Sequence, residues 1–264
     1  MTAKGELETH LRTQRDAGRK LLVPYITGGL PGWIDAIRSA AAHGADAVEI
    51  GIPFSDPVMD GPIIQRASES ALKLGATPIS ILNQLRTVDV QIPLAVMCYY
   101  NTVHHAGETR FAHALRDSGV CAAIVPDLPL EESGSWCDAA DEAEIETVML
   151  AAPTAPADRL PRIINRSRGF VYAVGLLGVT GERDELASTA LILAHRLKAI
   201  TDIPVLIGVG VSNAEQAVEA ASVADGVIQG ASIVRRLMES GPDAVGEYVA
   251  QVRNALDQAV STSR

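Results

Sequence analysis

The sequence predicts an α/β fold, a single (β/α)8 barrel with one additional N-terminal helix, and three observations lead there. Its 264 residues suit one barrel of about 250 residues better than two minimal domains. Short β-rich runs alternate with longer helical patterns from end to end, and eight such runs can be placed. These runs are nearly continuous in apolar residues, as parallel strands covered on both faces must be. Repeated right-handed strand-helix-strand crossovers close eight such strands into a TIM barrel; an open doubly wound sheet is the alternative. No linker or low-complexity stretch divides the chain, so residues 1–264 are read as one domain.

Taken in order, a helix around residues 7–15 leads into a first strand at 21–27. Helical spacing then lines up Ile34, Ile37 and Ala41 before a stop at Gly44. The second strand is expected at 47–51 and the third at 94–99, followed by a helix presenting Phe111, Ala112 and Leu115 before Gly119. Later strands fall at 122–125, 147–151, 170–174, 205–207 and 226–228. Glu131-Glu132 suits a helix start, where acids complement the dipole, and Ser212 with Glu215 has capping-box spacing. Asp243 is placed to cap a last helix with the stripe Ala244, Val245, Tyr248, Val249, Val252, Leu256 and Val260, an outer cover for the barrel.

Apolar residues make up 47% of the chain and charged residues 20%, enough core-forming material for a globular fold. Acidic residues outnumber basic ones, 32 to 22, without a Lys/Arg-rich run, which argues against a nucleic-acid or anionic-membrane surface. The opening residues are polar rather than signal-like, and no apolar run approaches the ~18 residues of a transmembrane helix, so a soluble, cytoplasmic protein is expected. Cys98, Cys121 and Cys137 lack CxxC spacing and are read as buried thiols.

In such a barrel, functional groups gather at the carboxyl ends of the strands and in the loops that follow. The second strand, Ala47-Val48-Glu49-Ile50-Gly51, sets a carboxylate inside an apolar run, facing the interior or its upper mouth. Burying an acid is costly. Either a Lys, Arg or backbone donor satisfies Glu49, or the acid is kept for chemistry. The loop from Ile52 to Pro62 carries three prolines and two further acids, Asp56 and Asp60, and exceeds a minimal connection of about 2–6 residues. Strand and loop carboxylates together serve glycosidases, isomerases and metal sites alike.

Across the barrel, Gly208 and Gly210 follow the seventh strand, and Gly230-Ala231-Ser232 follows the eighth and opens a helix. Exposed backbone N–H groups there would make a phosphate site without lysine or arginine, with Gly181 after the sixth strand able to complete it. His104-His105 lacks matching ligand spacing and is read as an exposed loop pair, so no metal site is assigned. Asp127, after the fourth strand, is a secondary candidate.

The string Glu49-Ile50-Gly51-Ile52-Pro53-Phe54-Ser55-Asp56-Pro57, with Asp60-Gly61-Pro62 and Ile64-Gln65, closely resembles the signature of the tryptophan synthase α subunit family. The resemblance continues in order through Pro24-Tyr25-Ile26-Thr27, Tyr99-Tyr100-Asn101, Pro126-Asp127-Leu128-Pro129, Pro153-Thr154, Gly178-Val179-Thr180-Gly181 and Gly208-Val209-Gly210-Val211. It implies cleavage of indole-3-glycerol phosphate to indole and glyceraldehyde 3-phosphate, with Glu49 and Asp60 as the catalytic pair and Thr180 near them. By matching position, Tyr25, Met97, Ile124, Tyr172 and Val209 would surround the indole, while Gly181, Gly210, Gly230 and Ala231 would hold the phosphate. It also implies no cofactor in this chain and an active face docked, in an α2β2 tetramer, against a β subunit that carries pyridoxal phosphate.

The chain departs from the family pattern at three places. Leu30 in Gly29-Leu30-Pro31 stands where an Asp is usual, Ala231 replaces a Ser, and Gly175-Leu176-Leu177 replaces a polar stretch. Competing readings are a stand-alone lyase that releases free indole and a non-catalytic regulatory subunit, which retention of both acids disfavours. A third is another phosphate-binding barrel such as a phosphoribosyl isomerase, which the Pro53-Phe54-Ser55-Asp56 string disfavours.

Overall fold

The computed structural model describes residues 4–175, 188–208 and 210–262. The strands are β1 (Leu21–Thr27), β2 (Val48–Gly51), β3 (Leu94–Met97), β4 (Ala122–Ile124), β5 (Glu146–Ala151), β6 (Val171–Ala173), β7 (Val205–Ile207) and β8 (Gly226–Gln229). All eight expected strands are therefore present. Each pairs in parallel with the next, and β8 returns to β1 through Leu21 opposite Gly226 and Val23 opposite Ile228. That last pairing closes the barrel and removes the open-sheet alternative.

The helices among the described residues are α1 (Glu6–Asp16), α2 (Trp33–Ala42), α3 (Pro62–Lys73), α4 (Pro78–Leu85), α5 (Tyr100–Ala106), α6 (Glu108–Arg116) and α7 (Gly134–Glu142). They continue as α8 (Arg159–Arg166), α9 (Ser188–Lys198), α10 (Ala214–Val223), α11 (Ala231–Ser240) and α12 (Pro242–Thr262). None is long and apolar enough to cross a membrane.

Alternation along the strands divides the core in two. Leu21, Val23, Ala47, Ala95, Ala122, Ile124, Val148, Leu206 and Ile228 pack together inside the barrel, and Leu7 and Leu11 of α1 join them as a plug at the floor. The intervening residues, such as Leu22, Val48, Val96, Val171 and Val227, face the helices in a second, larger cluster. The floor is held by acids with donors. Asp46 accepts from Arg19 (2.6 Å) and the Leu22 amide (2.8 Å), and Asp225 accepts from Lys198 (2.9 Å) and the Val205 amide (2.8 Å). Glu146, at the start of β5, accepts from the Leu7 and Glu8 amides of α1 at 2.6 and 3.0 Å.

Several local expectations are corrected. In α2 the buried side is Trp33, Ala36, Ile37 and Ala40, with Ile34 and Ala41 only half-buried, because the large Trp33 ring turns inward. Asp243 lies in the first turn of α12, after Pro242, rather than at its cap. Glu131 and Glu132 precede α7 in a turn, where Glu131 pairs with Arg159 and Arg162. His104 and His105 are exposed, but on α5 rather than in a loop. The three cysteines are free and buried, and Gly44 and Gly119 follow their helices with φ of 100° and 77°, the left-handed stop that glycine permits.

Candidate active site

Register decides what meets at the mouth of the barrel. Tyr25 of β1 lies opposite Glu49 of β2, and Glu49 opposite Ala95 of β3, so the carboxyl group and the phenol share one level. Close approach there requires glycine: a Cβ on Gly51 would coincide with the Tyr25 hydroxyl, and one on Gly208 with the Tyr172 hydroxyl. Glu49, Asp60, Tyr25, Met97, Tyr172, Ile64, Val211 and Ile228 line one cavity together with Gly208, Gly210, Gly230 and Ala231. About 490 Å³ of non-atom space lies within it, part of it open to solvent.

Glu49 is 3% exposed, and its Oε2 is buried without a hydrogen-bond partner. Among the described residues, no lysine, arginine or backbone donor satisfies that oxygen. Burial first, and the charge of Asp60 second, push its pKa up to about 8. Asp60 is also buried, which raises its pKa to about 6, while a hydrogen bond from the Tyr99 hydroxyl works in the other direction. Between those two values Asp60 is ionised and Glu49 protonated. Tyr25 and Tyr172 are held well above the usual phenol range, chiefly by burial, and stay neutral donors.

The loop carrying Asp60 is fixed from its far side. Pro62 occupies the first turn of α3, where a missing N–H costs nothing, and Gln65 of that helix donates through Nε2 to the Asp60 carbonyl at 2.7 Å. Gln65 and Pro62 thus help set where the carboxylate stands.

The opposite wall is backbone. Gly210 has φ of 87°, which a residue with a side chain rarely adopts. Gly230 caps α11, whose first amides have no partner within the helix and whose dipole favours an anion. A Cβ on Gly230 would meet nothing closer than 3.8 Å, so the protein's own packing does not demand glycine there. The space it would fill is the cavity itself. The capping expected of Ser212 and Glu215 belongs instead to Asn213, whose Oδ1 accepts from the Gln216 amide at 2.8 Å. Gln229 reaches from β8 to the Asn213 carbonyl and to the Tyr248 hydroxyl, which donates to the Ser212 carbonyl, binding the two glycine loops together.

Most of the residues singled out in the sequence therefore converge. Ile124 does not: it is buried in the inner core, opposite Met97 in register, and does not line the cavity. Thr180, Gly181 and Val209 lie outside the described residues. Asp127 is exposed and accepts from the Tyr100 amide at 2.8 Å, fixing the start of α5 rather than facing the cavity. Ile64, Val211, Ile228 and Tyr99 went unassigned in the sequence; Ile64 and Val211 stood in its quoted motifs, but only tertiary placement sets them on the wall. Leu30 is buried in the outer core, an apolar role in keeping with the loss of the usual acid. Among the described residues, no group of His, Cys, Asp and Glu could hold a metal ion.

Comparison with known proteins adds an independent line. The family model for the tryptophan synthase alpha chain matches residues 11–261. The alpha chain of Streptomyces coelicolor is 41% identical over 245 residues, covering 91% of this chain and 90% of that one. The alpha chain of Thermobifida fusca is 41% identical over 255 residues, 94% of each. Among solved structures, tryptophan synthase from Mycobacterium tuberculosis superposes with a TM-score of 0.89 at 34% identity, covering 96% of this chain and 99% of that one. The alpha chain from Legionella pneumophila gives 0.86 at 29%, with 97% and 98% covered.

Proposed function

This chain belongs to the tryptophan synthase alpha chain family, lyases of tryptophan biosynthesis, and on that premise we propose that Glu49 and Asp60 carry its reaction. The reaction is the retro-aldol cleavage of indole-3-glycerol phosphate to indole and D-glyceraldehyde 3-phosphate. The observation that supports the assignment best is Glu49 itself, a buried carboxyl with an unpartnered oxygen beside Asp60 in a cavity closed by glycine backbone.

The bond to be broken joins indole C3 to the carbon bearing the side-chain hydroxyl. Protonated Glu49 donates to C3, which interrupts the aromatic system and leaves positive charge toward the ring nitrogen. Ionised Asp60 faces that N–H and stabilises the charge, an interaction strengthened where water is excluded. Glu49, now a carboxylate, takes the hydroxyl proton as the carbon–carbon bond breaks. Its electrons return to the ring, which restores indole, and the aldehyde leaves. A group of pKa about 8 can serve in both directions near neutral pH.

Tyr25, Met97 and Tyr172 supply the walls for the indole, with Val209 expected beside them. Gly210, Gly230 and Ala231 receive the phosphate through backbone N–H groups and the α11 dipole; Thr180 and Gly181 complete the site by resemblance. In this reading residues 1–264 act as one barrel domain in the cytoplasm. The chain pairs with a β subunit in an α2β2 tetramer and passes indole to it, and pyridoxal phosphate belongs to that partner.

Indole release from indole-3-glycerol phosphate, measured with and without a tryptophan synthase β subunit from the same source, tests the proposal. Weak activity raised strongly by the partner is expected. Fast release that ignores the partner would replace the partnered lyase with one that works alone, and silence in both conditions would reject catalysis.

A further inference from the structure

We propose that the Tyr99 hydroxyl is the positioning group of the site, fixing the Asp60 carboxylate at the orientation the reaction uses. Tyr99 is buried at the top of β3, as the residue that precedes α5. Its hydroxyl accepts at 3.1 Å from the amide of Met59, next in sequence to Asp60, and lies close enough to the Asp60 carboxylate to hold that acid's pKa down. Its ring stacks on Phe54, with centroids 5.1 Å apart and planes 26° from parallel. One side chain thus grips the β2–α3 loop at three points, Phe54, Met59 and Asp60.

Its own backbone is held too. The next amide, that of Tyr100, donates to Asp127 at 2.8 Å, so the loop after β4 anchors the residue that anchors the loop after β2. This gives Asp127 a use, at one remove from the cavity.

Ring packing would need only the ring of Tyr99. The hydroxyl is engaged on both sides by the loop, and among the described residues no lysine or arginine pairs with Asp60. A buried carboxylate that must stay ionised needs a donor, and among the described residues the Tyr99 hydroxyl is placed to serve as one. The proposal rests on the role given to Asp60 above.

The test uses the full-length Tyr99→Phe variant, labelled with 13C at the aspartate carboxyl groups. The Asp60 resonance is identified as the one missing from Asp60→Asn. In Tyr99→Phe, Asp60 is expected to titrate at higher pH, and the acid limb of kcat/KM for indole release should move up with it. At pH 7, kcat should fall about tenfold, the size of a lost hydrogen bond to a charged group, while KM stays within about twofold. An unchanged Asp60 titration would overturn the proposal and leave Tyr99 as packing, and so would a shifted titration with wild-type rates. Wild-type indole release by Asp60→Asn would show instead that the underlying assignment of Asp60 is wrong.

Discussion

Two glutamates sit in strands of the same barrel, almost equally buried, and the protein treats them differently. Glu146, 5% exposed at the floor, receives two backbone amides from α1. Glu49, 3% exposed at the mouth, has an oxygen with no partner. The same contrast extends to their neighbours. Asp46 and Asp225 at the floor hold Arg19 and Lys198, whereas among the described residues Asp60 at the mouth pairs with no lysine or arginine and has the Tyr99 and Tyr25 phenols beside it. Burial alone therefore does not mark a functional acid. What marks it is burial without the donors that a structural role would bring, since an unsatisfied carboxyl persists only where something other than stability retains it.

The sharpest way to break this contrast is to replace each glutamate by its amide. Glu49→Gln is expected to reduce indole release by about a thousandfold or more, within the range for general acid–base groups, with folding intact; Glu146→Gln should leave turnover per folded molecule unchanged. Comparable losses in both would mean that the floor and the mouth are not distinct. Asp60→Asn should cost about a hundredfold in kcat, since an amide cannot supply the same negative field.

A pH series sharpens the contrast further. With Asp60 near 6 and Glu49 near 8, kcat/KM should rise as Asp60 ionises and fall as Glu49 loses its proton, with its optimum between. Removing the Asp60 charge takes away one cause of the raised Glu49 value, so Asp60→Asn should draw the alkaline limb to lower pH. A flat profile across pH 5 to 9, under conditions where chemistry limits the rate, would remove both acids from the mechanism.

The remaining effects concern stability. Glu146→Ala leaves the Leu7 and Glu8 amides without their acceptor and should cost about 1–3 kcal/mol in urea unfolding. Opposite in sign, Glu49→Gln should stabilise the fold at alkaline pH. A carboxyl whose folded pKa is raised contributes stability that is complete below its unfolded value of 4.5 and lost as pH rises through about 8. The variant, which does not titrate, should therefore gain in melting temperature relative to wild type between pH 5 and pH 9.

Much of this was legible in the chain. The apolar runs located eight strands, because a strand buried on both faces admits few polar residues, and Glu49 stood out for breaking that pattern. Residue pairs whose meaning depends on a third element were not legible. Asn213 rather than Ser212 caps α10, a shift of one position within the accuracy of helix ends read from sequence. Ile124 and Met97 stand opposite each other in register, yet Met97 lines the cavity and Ile124 does not, a difference no local pattern carries. Tyr99 was one residue in a recognisable motif until the fold brought its hydroxyl under Asp60.

The sequence by itself determined the barrel and singled out the two acids proposed to react and the glycine loops opposite them, because periodicity, hydrophobic runs and short motifs are local properties. Tertiary structure alone decided which buried acids have donors, which side chains wall the cavity and what holds Asp60 in place. Those depend on register between strands and on contacts between residues far apart in the chain, such as Glu146 with Leu7 and Tyr99 with Met59. Hydrogen bonding and desolvation act over a few ångströms of space, and distance along the chain does not encode them.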